Sequence, residues 1–325
     1  PEELEKMRDT FIAGAHKHKI SEKVSNKIYD QLVQFGGYGF NKSHSAAYGL
    51  VAYQTAYLKA NFPLEFMAAV ASSEIGHSSI GAADKENKLV TYLEEARSMG
   101  LGVLPPDIQK SEARFSIEGP KAIRFGLVAI KNVGSGAVDS LLAARAHGAF
   151  TSLEDFCGRV DLHAANKKVL ESLIKSGAMD SLEPGAPVGL GRGRMLAGLS
   201  DAVDRQARLR EDLARGQGQL FAPHHLPHAP AEGASRLSAS ALPEHDVLKF
   251  EKEVLGFYFS GHPLLSVKER LKCAATHEIS QLNPEITTDV RVAGLMSQVK
   301  RMLTKSKGEQ WARCVLEDLS GEINL

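Results

Sequence analysis

Apolar positions recur at helical spacing through the first hundred residues. Leu4, Met7, Phe11 and Ile12 form one such stripe, and Val24, Ile28, Leu32 and Val33 form another after Ser21, a residue suited to cap a helix start. A glycine cluster, Gly36-Gly37-Tyr38-Gly39, interrupts the pattern, and Ser43 opens a second long helix running to about Ala60. Pro63 suits the first turn of a further helix carrying Leu64, Phe66, Met67 and Val70. Another is expected from about Asp84 to Ser98, stopped by Gly100. After the rigid break Leu104-Pro105-Pro106-Asp107 the period shortens. Residues 113–117 and 122–127 read as short strands around a turn at Glu118-Gly119-Pro120. Short, glycine-punctuated helices follow to about Leu182. Residues 183–194 are rich in Gly and Pro, and Arg194 to Leu213 reads as helix. Residues 215–243 lack periodicity and read as a flexible linker. Residues 244–275 read as helical with a break at Gly261-His262-Pro263, and from Val290 the pattern becomes strand-like, with a hairpin tip at Lys305 to Glu309.

A chain of 325 residues exceeds one ordinary core, so several domains are expected, mainly α: 1–105, 106–182, 183–243, 244–285 and 286–325. Its 43% hydrophobic content excludes wholesale disorder. Lys plus Arg and Asp plus Glu both number 39, so no global positive field points to nucleic acid, and any such surface must be a local patch. No apolar run reaches the roughly 20 residues of a membrane span. Cys157, Cys273 and Cys314 are too few and too scattered for a disulfide scaffold or a zinc site, which suits a reducing cytoplasm. The first residue is not Met and the last segment stops in strand-like sequence, so the chain reads as a piece of a longer protein.

Three segments carry candidate chemistry. The stretch Gly36 to Ser45 places a glycine turn, Lys42 and His44 before a helix start, where free N–H groups and the helix dipole favour an anion. It is not a GxxxxGK[ST] phosphate loop, and a plain capped helix fits the same residues. Leu127 to Leu142 reads as helix, Gly134-Ser135-Gly136 hairpin, helix. Hairpin N–H groups can hold a DNA phosphate without reading bases, with Lys131 adding charge. Asn166 to Asp180, with the single glycine Gly177, reads as a second copy that serves packing more than phosphate. Finally Gln217-Gly218-Gln219-Leu220-Phe221 sets two adjacent apolar residues in a polar linker, a pattern for docking to a partner. The nearby His224, His225 and His228 have no carboxylate or Cys companion and read as solvated linker.

The words Gly37-Tyr38-Gly39-Phe40-Asn41-Lys42-Ser43-His44-Ser45-Ala46-Ala47-Tyr48, continuing through Val51 to Ala60 and Pro63 to Ala69, closely resemble the fingers of bacterial replicative DNA polymerase III alpha subunits, the C-family polymerases. The Asn-Lys and Tyr-Gln-Thr words flanking the Ser-His-Ala kernel favour the replicative branch over error-prone paralogues. The resemblance implies that Asn41, Lys42, Ser43 and His44 face an incoming dNTP. It implies a tandem helix-hairpin-helix module in which Lys131, Asn132, Gly134, Ser135, Gly136 and Lys168 hold primer–template DNA. It further implies a sliding-clamp motif at Gln217, Gln219, Leu220 and Phe221, and the start of an OB-type barrel from Val290, with Lys300, Arg301, Lys305, Lys307 and Trp311 as candidate single-strand contacts. Glu251 to Leu264 is another matching word, given a structural role. In that family the Mg²⁺-holding aspartates lie N-terminal to this stretch, so no catalytic or metal residue is assigned here and the chain alone should not polymerise. Other holoenzyme subunits are implied partners, and a membrane is not. The competing reading is a non-catalytic DNA-binding or clamp-adaptor protein.

Overall fold

The computed structural model describes residues 6–37, 42–76, 88–215, 241–283, 288–303 and 310–325. The chain divides into two compact units, Pro1–Pro63 and Leu64–Leu325.

In the first unit, α1 (Arg8–Lys17) and α2 (Glu22–Gly37) pack as a helical pair. Tyr29 is buried between them, 5.2 Å from the Phe11 ring, with the Arg8 guanidinium over its face and Arg8 paired to Asp30 at 2.7 Å. The third helix, α3 (Lys42–Asn61), has apolar residues all round and none buried.

The second unit begins with α4 (Pro63–Ser73) and α5 (Lys88–Ser98), whose buried faces are Leu64, Met67, Ala68 and Ala71, and Leu89, Leu93 and Ala96. Gly100, with φ +79°, ends α5 as expected. A three-stranded sheet follows: β1 (Gly102–Leu104) runs parallel to β3 (Ala122–Arg124), which pairs antiparallel with β2 (Ser116–Glu118). The β2–β3 turn is the expected one. β1 went unread because three residues before a Pro-Pro break carry no period. Arg124 pins the sheet by a bidentate pair with Glu118 and a bond to the Pro105 carbonyl.

Four helices form the body behind this sheet: α6 (Ser135–Arg145), α7 (Leu153–Arg159), α8 (Lys167–Lys175) and the long α9 (Val188–Ala214). Leu141, Phe156, Leu170 and Leu173 are among the fully buried side chains that join them. Carbonyls at helix ends meet guanidinium groups. Arg159 donates to Ala144 in the last turn of α6 and to Gly148 after it, and Arg210 of α9 donates to Cys157 and Gly158 in the last turn of α7 and to Val160 after it. Burial pushes the Cys157 thiol up to about 11, as befits a packing cysteine.

α9 begins at Val188, inside the Gly- and Pro-rich stretch expected to be loop. Its glycines let other segments come close. A Cβ on Gly189 would collide with the Leu242 carbonyl oxygen, and one on Gly191 would sit 3.1 Å from Glu183. Next to them Arg192 is buried, bonded to Asp180 through two nitrogens and to Glu251 of α10 (Glu244–Leu255) at 2.9 Å. Fully buried Glu251 also accepts from the backbone N–H groups of Phe259 and Ser260 and from the Ser260 hydroxyl. The Glu251–Leu264 word thus reads as a buried polar knot that closes the core.

The chain ends in α11 (Lys268–Ala274) and an antiparallel meander, β4 (Leu295–Leu303), β5 (Gln310–Glu317) and β6 (Glu322–Asn324). The strand-like pattern expected from Val290 becomes strand at Leu295, and β4 carries a bulge between Ser297 and Lys300. Among the described residues the meander has three strands, and closure into an OB-type barrel is not established.

Candidate nucleic-acid interface

The segment before α6 departs from the expected helix-hairpin-helix pattern at its first element. Leu127–Ala129 is one 3-10 turn, not a helix, and its neighbours Gly126 and Ile130 are extended. The cause is packing. A Cβ on Gly126 would enter the Arg114–Phe115 backbone, and Leu127, Ala129, Ile130 and Val133 are all buried, so no polar face remains for an amphipathic helix.

Two bonds hold the hairpin that follows. The Lys131 N–H donates to the Val254 carbonyl at 2.9 Å, near the end of α10. Asn132 adopts φ +68°, a left-handed conformation Asn tolerates, and its amide donates to the buried Ser172 hydroxyl of α8 at 3.1 Å. Ser172 in turn donates to the Lys168 carbonyl at 3.0 Å, which brings the first turns of α8 beside the hairpin. Lys131, Asn132, Gly134, Ser135, Gly136 and Lys168, all expected at one site, are exposed and gathered here. Ser172 carries no sequence signal for its part in this.

Gly134 then caps α6 with φ −87° and ψ 164°, and no side chain accepts from the helix start. The first intrahelical bond runs from the Val138 N–H to the Gly134 carbonyl, so the N–H groups of Ser135, Gly136 and Ala137 have no acceptor within the helix. Neither Gly134 nor Gly136 is required by the local structure: both have negative φ, and a Cβ on either would meet nothing within 4 Å. Glycine in a helix costs about 0.5–1 kcal/mol against alanine. What the two glycines provide is a helix start with no side chain over the exposed Ser135 and Gly136 positions. A cavity of about 430 Å³, bordered by Glu74, Leu89, Lys131 and Gly134, lies alongside.

The second hairpin is displaced from its expected place. Gly177 lies past the end of α8, buried, with φ +81°, and a Cβ there would collide with the Arg192 guanidinium, so it serves packing. The turn between the paired helices is the one joining α7 to α8, residues 160–166, ordered by the Asp161 carboxylate accepting from the His163 N–H. Asn166 caps α8 by accepting from the Val169 N–H. This helix start is satisfied internally, where that of α6 is open.

In the separate first unit, Lys42 begins α3, and Ser43 and His44 are exposed in its first turn, the His44 ring 4.2 Å from that of Tyr48. Asn41 lies outside the described residues, as do Gln217, Gln219, Leu220, Phe221, Lys305 and Lys307. On the meander, the register puts Lys300, Met302, Trp311 and Arg313 on one face and Arg301 on the other, so the candidate single-strand residues do not share a surface. Among the described residues no group of three His, Cys, Asp or Glu is arranged for a metal ion, and no helix is long and apolar enough to cross a membrane.

Comparison with known proteins agrees with this geometry. A family described as a helix-hairpin-helix motif matches residues 100–186. Over its full length the chain is 39% identical to DNA polymerase III subunit alpha of Neisseria meningitidis serogroup B, 40% identical to that of Deinococcus radiodurans and 39% identical to that of Thermus aquaticus. It covers 26%, 24% and 25% of those proteins, so the chain is homologous throughout to about a quarter of their length.

Proposed function

We propose that this chain is the DNA-holding and nucleotide-contacting portion of the alpha subunit of a bacterial replicative DNA polymerase, an enzyme of template-directed DNA synthesis. The observation that carries the reading is the start of α6, which no side chain caps and where Gly134 and Gly136 have no structural task and leave the first amides uncovered. A phosphate oxygen is the acceptor such amides fit, and a duplex held this way is gripped without regard to sequence. Homology along the whole chain to polymerase subunits favours this over an adaptor that merely contains hairpins.

Within this reading, Asn41, Lys42, Ser43 and His44 contact the incoming dNTP, supported by the exposure of Ser43 and His44 at a helix start. Gln217, Gln219, Leu220 and Phe221 dock to the sliding clamp, supported by the motif alone. The Mg²⁺ ions of the reaction are held by aspartates outside this stretch, and the enzyme works in the cytoplasm with other holoenzyme subunits.

Primer extension by the full-length enzyme tests the assignment. Gly136→Val should raise the KM for primer–template about tenfold while leaving kcat within about twofold, since lost ground-state binding appears in KM. A kcat loss at unchanged KM would remove the DNA-holding role. For the linker, Leu220→Ala with Phe221→Ala should abolish clamp retention and leave duplex binding intact.

A further inference from the structure

The terminal meander lies outside the main apolar core of its unit, and its β5–β6 turn is hydrogen-bonded to Ile279 and Ser280. The apolar core that unites this unit runs from Leu64 to Phe259 and includes nothing from the meander. Among the described residues of β4, β5 and β6, Val315 is the one buried hydrophobic side chain. What joins the meander to α10 is instead a charged group at the end of β5. The Glu317 side chain is 12% exposed, and both its oxygens accept from the Lys252 ammonium, at 3.3 and 3.2 Å. Oε1 also meets His262 Nε2 at 3.2 Å. His262 Nδ1 accepts from the Leu264 N–H, so Nε2 carries the proton and donates to Glu317. Lys252 further lies 4.8 Å over the Tyr258 ring, which meets His262 edge-on.

Other acids face the same spot. Glu94 of α5 is pushed above the ordinary carboxylate range by burial first, against the pull of Arg97 and Lys252, with Glu322 and Glu317 adding to the rise. Burial and Glu317 also push the Tyr258 phenol up to about 12. Three carboxylates, on α5, β5 and β6, thus share two cations, with Arg97 acting on Glu94 and Lys252 paired to Glu317.

We propose that the Lys252–Glu317 pair is an electrostatic latch that sets the orientation of the meander, and that the meander swings as a body when the latch opens. The proposal does not depend on the DNA-holding role of the hairpin. The sign of each variant's effect follows from the charges. Removing Lys252 leaves Glu317 shielded from water and facing Glu94 and Glu322, which is repulsive. Removing the Glu317 charge with glutamine keeps an acceptor for His262 and relieves that repulsion.

Spin labels at Ala207→Cys on α9 and Ala312→Cys on β5, in a Cys273→Ser, Cys314→Ser background, report the orientation as a distance distribution. In the chain with its latch intact, raising salt from about 0.05 to about 0.5 M should at least roughly double the width, because screening weakens a partly exposed pair. Lys252→Met should give that broadening already at low salt. Glu317→Gln alone and the double variant, which both lack the pair, should be broad already at low salt and insensitive to salt, and the double variant should be no broader than Lys252→Met. A width unmoved by salt in the latched chain, or a Glu317→Gln chain as narrow at low salt as the latched one, overturns the latch. Should Lys252→Met fail to fold, the salt series in the latched chain and in Glu317→Gln decides alone.

Discussion

Asn132 shows how one residue can shape a candidate site through the backbone. Its φ of +68° bends the backbone toward Gly134, and its amide bond to Ser172 fixes that bend against α8. Asn132→Ala loses both the tolerance for this conformation and the bond, and should destabilise the chain by about 1–3 kcal/mol. Asn132→Gly keeps the conformation and should lose about half as much. Urea unfolding of the two variants measures the difference, and equal losses would remove the backbone part of the explanation. The Gly134-Ser135-Gly136 signal was legible in the sequence because its chemistry is local. Ser172 was not, because it lies 40 residues from the residue it holds and nothing nearby marks such a bond. Asn132, expected at the DNA surface, is exposed there and is also held by the fold.

Elements were legible where one face meets the core and the other meets water. α5 and α8 follow their stripes, with buried Leu89 and Leu93 in one and Val169, Leu170 and Leu173 in the other. The pattern misled where tertiary packing outweighed local preference. α9 continues through Gly189, Gly191 and Gly193, poor helix formers, because Leu242 and Glu183 pack on that turn and Arg192 anchors it. Arg192→Leu would leave Asp180 and Glu251 buried without their cation. It should cost about 3–5 kcal/mol in urea unfolding, and a cost below about 1 kcal/mol would show the knot to be incidental.

A second element carries a pH prediction. In the turn after β5, burial raises the Asp318 carboxyl, but N–H groups of Ile279, Ser320 and Gly321 and the Ser320 hydroxyl outweigh it, and the net shift is downward. A lowered folded value means the charged form is the stabilising one. Its contribution is complete above the ordinary Asp value of about 3.9 and is lost as pH falls through the lower folded value. Carboxyl NMR should find Asp318 titrating below that ordinary value, and titration at or above it would contradict these bonds.

At the scale of the molecule, the two units differ in how they meet water. The second closes a continuous core. In the first, α3 exposes Tyr48, Leu50, Val51, Tyr53, Tyr57 and Leu58, a helix apolar on every side. Such a helix suits the interior of a larger assembly, in keeping with a chain that matches about a quarter of its relatives' length. The mainly helical class and the relationship to polymerase subunits were legible in sequence words. The small parallel pairing of β1 with β3 and the polar attachment of the meander were not, because both arise between segments distant along the chain.

The central claim is that the open amides at the start of α6 hold a DNA phosphate. The measurement that bears on it most directly is fluorescence anisotropy of random-sequence primer–template duplex with this chain and with Gly136→Val, as salt rises from about 0.05 to about 0.2 M. The unaltered chain should bind duplexes of different sequence alike, with log K falling linearly against log salt. Gly136→Val, whose Cβ would meet nothing within 4 Å, should melt like the unaltered chain yet bind about tenfold more weakly, the scale of a lost charge-assisted contact. Undiminished binding by a folded Gly136→Val chain would contradict the account.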